Sequence, residues 1–270
     1  NSVPGKLPLV FSDGLSLPAA MLFIEKVMCG LGKGLARTGR MDEASVERAL
    51  AALHRFKALS RQARASTMFA LATAAAREAE NGPDFIHRAE MILGQKGRVL
   101  TGEEEACFSA LGIVSGFADA DGIVGDLGGG SLELIDVAGV AVGKGITLPL
   151  GGLRLSEASG GSPAQARIVA RKYLRTADLL KKGTGRAFYA VGGTWRAIGA
   201  LHMEMQNYPL HMIQGYELGF SDAMDFLTDI VTAKDQKDPA YAAISKGRRN
   251  LLPFGAVALH LGNFTLRHWV

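Results

Sequence analysis

The sequence predicts an α/β protein of two domains, and three observations carry that prediction. Short apolar runs of strand length alternate with longer segments of helical periodicity. Apolar residues make up 48% of the 270 and charged residues 21%, the composition of a chain that folds around a core and not of a disordered or fibrous one. The pattern changes near residue 120, where a helix-rich half gives way to a glycine-rich meander. This length accommodates one or two domains, each with its own core. A boundary near Ser109–Val114, inside a helix, divides the chain into 1–112 and 113–270.

The first element, Met41 to about Arg64, reads as an amphipathic helix, with Asp42 as N-cap and Val46, Leu50, Leu53 and Phe56 at helical spacing. Thr67–Ala72 reads as a short buried strand, followed by a helix start through Arg77. Asn81-Gly82-Pro83 breaks that helix, and Pro83 opens another to about Leu93. Arg98–Leu100 is a short strand, and Thr101-Gly102-Glu103-Glu104 has capping-box spacing for a helix through about Phe117. Then Ile123–Leu127, Ser131–Val137 and Val140–Ile146 make a three-strand meander. Ser162, with Pro163 behind it and Gln165 three residues on, caps a helix expected to run to about Lys182. Ala187–Val191 is a buried strand ended by Gly192-Gly193, and Thr194 is the expected cap of a helix through about Met205. Ile213–Leu218 reads as a weak strand, Ser221 caps a further helix, and Leu251–Leu261 is helical.

Charge and cysteine usage narrow the function classes. A scattered excess of +4 does not call for nucleic acid but suits a small anionic substrate. No apolar run reaches the roughly 18 residues of a membrane helix, and the opening Asn1-Ser2-Val3-Pro4 has no signal-peptide pattern. The two cysteines, Cys29 and Cys107, lack metal-site spacing, as do the six histidines, and point to a reducing, cytoplasmic setting without zinc or thiol chemistry.

The chemistry concentrates in a few places. In Asp126-Leu127-Gly128-Gly129-Gly130-Ser131-Leu132-Glu133 an acid ends one strand, three glycines follow, and a hydroxyl and a second acid begin the next. Without Cβ atoms, such a loop brings bare N–H groups against an anion. Carboxylates beside bound phosphates are what Mg²⁺ prefers, which nominates Asp126 and Glu133. No Gly-Lys-Ser/Thr follows, so this is not a P-loop, and a strand rather than a helix follows, so it is not a dinucleotide fingerprint. A plain glycine hairpin with two surface acids is the structural alternative.

Gly192-Gly193-Thr194 ends a second buried strand and opens a helix, whose N-terminus suits a phosphate or a ribose hydroxyl; a simple strand-to-helix turn reads the same way. In Thr101–Ala106, acids in a first helical turn favour the helix dipole and Glu104 can complete the capping box with Thr101. Glu105 is then the candidate to orient or deprotonate a water. Arg77 follows a strand end in the apolar stretch from Ala72; it is a phosphate-binding guanidinium or a solvated helix arginine.

Together these pieces resemble the exopolyphosphatase/guanosine pentaphosphate phosphatase family, of the actin, sugar kinase and acetate kinase superfamily. The matching segments, in order, are Ala72-Thr73 with Arg77, Thr101–Ala106, Asp126–Glu133, Leu150–Leu155, Gly192–Arg196, and Arg248/Arg249 followed by Pro253-Phe254-Gly255-Ala256. The resemblance implies two ribonuclease-H-like domains with a cleft between them. It implies Glu105 as the catalytic glutamate, Asp126 and Glu133 as acids tied to Mg²⁺ and the water, and Arg77 as a phosphate contact. It further implies Gly128, Gly129, Gly130 and Ser131 as the second phosphate loop, and Gly192, Gly193 and Thr194 as the loop that faces adenosine in nucleotide-binding relatives. The implied reaction releases orthophosphate from inorganic polyphosphate or from guanosine pentaphosphate; a homodimer is left open.

The chain departs from the family pattern at its start. Only Asn1-Ser2-Val3 matches the tail of the family's first phosphate loop, and Pro4-Gly5-Lys6 stands where an arginine is expected, so that loop is expected to be incomplete. The closing His268-Trp269-Val270 matches no family segment, and the C-terminal helical domain that longer family members carry is not expected within these 270 residues. Two other readings remain: an actin-like ATPase or kinase, and a phosphate or nucleotide sensor that binds without turnover.

Overall fold

Asp42 caps the first long helix as its position predicts: its side chain accepts from the Ser45 amide, and the helix runs Glu43–Gln62. The structure is a computed structural model and describes residues 6–12, 21–210, 212–232, 238–261 and 268–269. Asn1-Ser2-Val3-Pro4-Gly5, where the first phosphate loop would end, lie outside the described residues. The chain divides into two units, Pro4–Thr101 and Gly102–Val270. The break falls before the helix in which the sequence pattern puts the 112/113 boundary. That helix keeps Ala106, Ala110 and Ile113 in a cluster with Val124, Ile135 and Val137, all in the second unit.

In the first unit, β1 (Lys6–Ser12) and β2 (Met21–Met28) form an antiparallel pair. The sequence pattern assigns neither strand; Pro8 masks the pattern of β1 and is tolerated because β1 pairs on one side only among the described residues. There follow α1 (Leu35–Thr38), α2 (Glu43–Gln62), β3 (Ala70–Ala72), α3 (Ala74–Glu78), α4 (Gly82–Leu93) and β4 (Gly97–Val99). The strand expected to be buried over Thr67–Ala72 is shorter and half-exposed. Its described partner is β4 alone, which leaves an edge and a face open, and Phe69 is 85% exposed. The core of this unit joins Val46, Leu50, Leu53 and Phe56 of α2 to Phe85 and Ala89 of α4.

The second unit runs α5 (Gly102–Gly116), β5 (Asp121–Leu127), β6 (Leu132–Ala138), β7 (Ala141–Val142), β8 (Ile146–Leu148), α6 (Gly152–Ala158), α7 (Pro163–Leu174), α8 (Leu179–Lys182), β9 (Ala187–Val191), α9 (Gly193–Met205) and α10 (Phe220–Thr232). A 3₁₀ turn (Pro239–Ala243), α11 (Lys246–Arg249), α12 (Leu252–Leu261) and β10 (His268–Trp269) complete it. One mixed sheet has the order β10-β9-β5-β6-β7, with β8 also on β6. β5, β9 and β10 are parallel, and β6 runs antiparallel to β5.

Strict alternation sorts the central strands onto two covered faces. Ile123, Leu127, Leu132, Leu134, Phe188 and Ala190 join the larger core with α7, α9, α10 and α12. Val124, Ile135, Val137, Ala187 and Tyr189 face α5 on the other side. Trp195 is buried, edge-on to Phe188 with its indole donating to the Gly255 carbonyl at 2.9 Å, which makes it a core residue and not a stacking platform.

Several expectations need correction. The third meander strand is split into β7 and β8, because at Gly145 the backbone passes so close to α5 that a Cβ would lie 2.6 Å from that of Ala106. The helix capped by Ser162 stops at Leu174, where the chain turns so that both Leu174 and Ala177 enter the core. Ile213–Leu218 forms no extended strand; its Tyr216 hydroxyl instead meets His202 Nδ1 at 2.7 Å. The cap of α9 is Gly192, and Thr194 makes no capping bond. His268-Trp269, unmatched by the family pattern, adds a parallel strand beside β9.

Candidate active site

The same alternation that builds the sheet selects where its acids point. Asp126 lies two residues beyond Val124, and Glu133 two before Ile135, so both belong to the face covered by α5. They are directly opposite each other across the antiparallel β5–β6 pair. Two like charges in that register are destabilising unless a cation or a donor compensates. Ser109 supplies part of the compensation: its hydroxyl donates to Asp126 Oδ2 at 2.5 Å. Asp126 Oδ1 is buried and meets no donor among the described residues, while Glu133 is 3% exposed.

Glu105 is positioned by helix geometry. It lies four residues before Ser109 on α5, so the two share a face, about one 5.4 Å turn apart. The first turn of α5 sits tightly over the sheet, since a Cβ at Gly102 would overlap Thr147, the residue opposite Glu133 on β8. Glu103, by contrast, pairs with Lys144 at 3.6 Å on the surface. The fold thus places Asp126 and Glu133 on the sheet face that α5 covers, with Glu105 in the first turn of α5, one turn before Ser109. No group of three or more His, Cys, Asp or Glu among the described residues forms a ready-made metal cage. Mg²⁺ does not require one, since it usually keeps several waters and takes one or two carboxylates plus substrate phosphates. The orphaned Asp126 oxygen opposite Glu133 fits that donor set.

The triglycine loop is braced from behind. The amides of Gly152 and Leu153, at the start of α6, donate to the carbonyls of Gly128 and Gly129 at 3.0 Å, and Arg154 also donates to Gly129 at 3.1 Å. Gly128 N–H is used inside the loop, on the Ser131 carbonyl. The carbonyls are therefore occupied, while the amides of Gly129 and Gly130 meet no acceptor among the described residues. This accounts for Leu150-Gly151-Gly152: a Cβ at Gly151 would overlap the backbone of Gly129 and Gly130. Gly151→Ala is expected to cost about 1–3 kcal/mol of stability and to distort the loop. Thermal unfolding and phosphate affinity measured together check this, both falling.

The second glycine motif lies beside the first. Asp126 pairs with Val191 across parallel β5 and β9, so Gly192 emerges next to Leu127. Its φ of 112° and a would-be Cβ 2.5 Å from the Leu127 carbonyl both require glycine. Thr194 is fully buried with Oγ1 unpartnered among the described residues, 3.7 Å from where a Gly152 Cβ would stand. Loops at the carboxyl ends of parallel strands are the usual ligand position in open α/β sheets.

Two arginines to which the sequence pattern gives no role also belong here. Burial holds the Arg196 guanidinium below its usual range, while nearby Asp126 pulls it upward. Burial likewise lowers Arg248, and the Arg196 charge beside it lowers it further. Arg248 Nε is buried without a partner among the described residues. Their signal in the sequence is slight: Arg196 stands in an apolar stretch three residues after Gly193, while Arg248 sits in the polar run Ser245-Lys246-Gly247-Arg248-Arg249-Asn250. Arg77 lies in the first unit, where its Nη1 donates to the Leu100 carbonyl at 2.6 Å.

Bare loop amides, a helix N-terminus, acids and close guanidiniums lie at one end of a mixed sheet in an α/β protein, a set of groups whose chemistry suits a phosphate. The family model for the Ppx/GppA phosphatase family matches residues 11–261, and the chain belongs to that family. It is 27% identical over 244 residues to exopolyphosphatase 2 of Mycobacterium tuberculosis, covering 85% of this chain and 76% of the relative. Among solved structures it is similar to an exopolyphosphatase from Cytophaga hutchinsonii, with a TM-score of 0.85, 20% identity and coverage of 98% and 90%. It is also similar to the Aquifex aeolicus Ppx/GppA family member, with a TM-score of 0.76, 21% identity and coverage of 96% and 86%. The α/β, actin-like two-domain fold of these proteins is that of this chain. No helix among the described residues is long and apolar enough to cross a membrane.

Proposed function

We propose that this chain hydrolyses the terminal phosphoanhydride of inorganic polyphosphate or guanosine pentaphosphate and releases orthophosphate with the help of Mg²⁺. The observation that carries the reading is the placing of Asp126 and Glu133 on the sheet face that α5 covers, with Glu105 in the first turn of α5, beside a loop with two unused amides. Family membership and the exopolyphosphatase relative support it. Phosphoanhydride hydrolysis needs charge neutralisation and an aligned water more than a covalent nucleophile.

In this reading Gly128, Gly129, Gly130 and Ser131 cradle the terminal phosphoryl by backbone donation. Asp126 and Glu133 hold Mg²⁺, which when bound neutralises charge on the phosphoryl oxygens. Glu105 orients the attacking water and accepts its proton. Gly192, Gly193 and Thr194 take the next phosphates, with Arg196 and Arg248 as their countercharge. Arg77 enters as a phosphate ligand on the strength of its motif alone. The fold family and the cysteine usage support a cytoplasmic setting.

The deciding experiment is orthophosphate release from long-chain polyphosphate, guanosine pentaphosphate and ATP, each with Mg²⁺ and with chelator. The reading expects Mg²⁺-dependent release from one or both of the first two. Turnover of ATP alone would identify an ATPase or kinase, and binding without release a sensor. Arg248→Ala is expected to raise KM by roughly ten- to a hundredfold, the loss of about 1.5–3 kcal/mol from a hydrogen bond to a charged group. Saturation curves for the variant check this; an unchanged KM removes Arg248 from the substrate.

A further inference from the structure

Asp126 has two oxygens in different circumstances. Oδ2 accepts the Ser109 hydroxyl at 2.5 Å, the short end of the range for a hydroxyl on a carboxylate. Oδ1 is buried with no donor among the described residues. A carboxylate on a strand is broad about its terminal torsion, so nothing in the Asp126 side chain itself selects which oxygen is spent inside the protein. The choice is imposed by α5, which carries Ser109 one turn from Glu105. From this we infer that Ser109 is a positioning residue. It holds the Asp126 carboxylate in one orientation, so that Oδ1 stays available to a divalent cation on the side shared with Glu133. The inference rests on the reading of Asp126 as a metal-holding acid and adds a residue to it.

Simple helix structure does not account for a serine here. Ser109 lies well inside α5, where alanine is the better helix former and a polar side chain brings no advantage of its own. If the hydroxyl were merely tolerated, Ser109→Ala would leave cation binding alone and fold at least as well. If it orients Asp126, the same change frees the carboxylate to rotate, and cation affinity falls although the helix is no weaker. Outer-shell partners of metal-binding groups typically contribute 10–100-fold in affinity.

The test is Mn²⁺ binding to the whole chain, followed by the electron-spin resonance signal of free Mn²⁺, without substrate. Wild type, Ser109→Ala, Ser109→Thr and Asp126→Asn are compared, with thermal unfolding of each metal-free protein. The expected result is a loss of roughly tenfold in Ser109→Ala, recovery to near wild type in Ser109→Thr, and the greatest loss in Asp126→Asn. The metal-free unfolding midpoint of Ser109→Ala falls only modestly, by the loss of one hydrogen bond to Asp126, and the variant stays folded, so the loss of cation binding is not a loss of the native state. Ser109→Ala binding as wild type while Asp126→Asn does not overturns the role of Ser109 and leaves the metal reading standing. Asp126→Asn binding as wild type overturns the metal reading, and the role of Ser109 with it.

Discussion

Glu105→Ala is expected to reduce phosphate release by about 10²–10⁴-fold, the usual contribution of a positioned general base, with KM little changed. The physical reason is its place on α5, one turn before the serine that holds Asp126 and in the turn pressed against β8. In the proposed reaction a base there would act on a water beside the triglycine loop without holding the substrate itself, so the loss is expected to fall on kcat. Glu105→Gln separates the two functions a carboxylate can have. It keeps the size and the hydrogen bonds but cannot take a proton, and should be nearly as inactive as alanine. Turnover of either variant at the wild-type rate would remove Glu105 from the reaction. A circular dichroism spectrum and unfolding midpoint close to wild type are expected throughout, since Glu105 contributes no apolar burial to the core on that side of the sheet.

Asp126→Asn carries the second large effect. Asp126 faces Glu133 directly across β5 and β6, with one oxygen held by Ser109 and the other buried. Asparagine keeps the shape but replaces a charged oxygen with an amide donor, which a cation cannot use. The Mg²⁺ concentration for half-maximal activity is expected to rise by at least the roughly 10–100-fold that outer-shell changes already cost. The stabilisation that added Mg²⁺ gives to wild-type unfolding should disappear in the variant, because a cation that no longer binds the native state cannot shift its equilibrium. Titration of both proteins with Mg²⁺, read by activity and by melting temperature, makes the comparison. Coincident curves would show that Asp126 holds no cation.

Local patterns make much of the fold and part of the site legible. Asp42 and Ser162 cap the helices that their positions predict, because capping depends on residues three apart. The pair Asp126 and Glu133 is legible because a short hairpin sets its own register, and the strand period of two then puts both acids on one face. Sequence and structure part where a distant partner decides the outcome. The strand over Thr67–Ala72 looks buried by composition but has one described neighbour, and the strand after Val140 bends because α5 passes over Gly145. Thr194 has the chemistry of a cap, yet Gly192, fitted against Leu127, already occupies that position.

The candidate site divides the same way. By itself the sequence determined the glycine loops, the opposed acids and Glu105 in the first turn of a helix, all of them features of short range. Tertiary structure alone decided that Ser109 meets Asp126, that the start of α6 braces the triglycine loop, and that Arg196 and Arg248 crowd each other beside an acid. These contacts join elements far apart in the chain, and their existence depends on which face of α5 and which end of α11 pack inward. That is settled by the burial of Ala106, Ala110, Ile113 and Leu252 against the two faces of one sheet, an energy summed over the whole unit and written in no single motif.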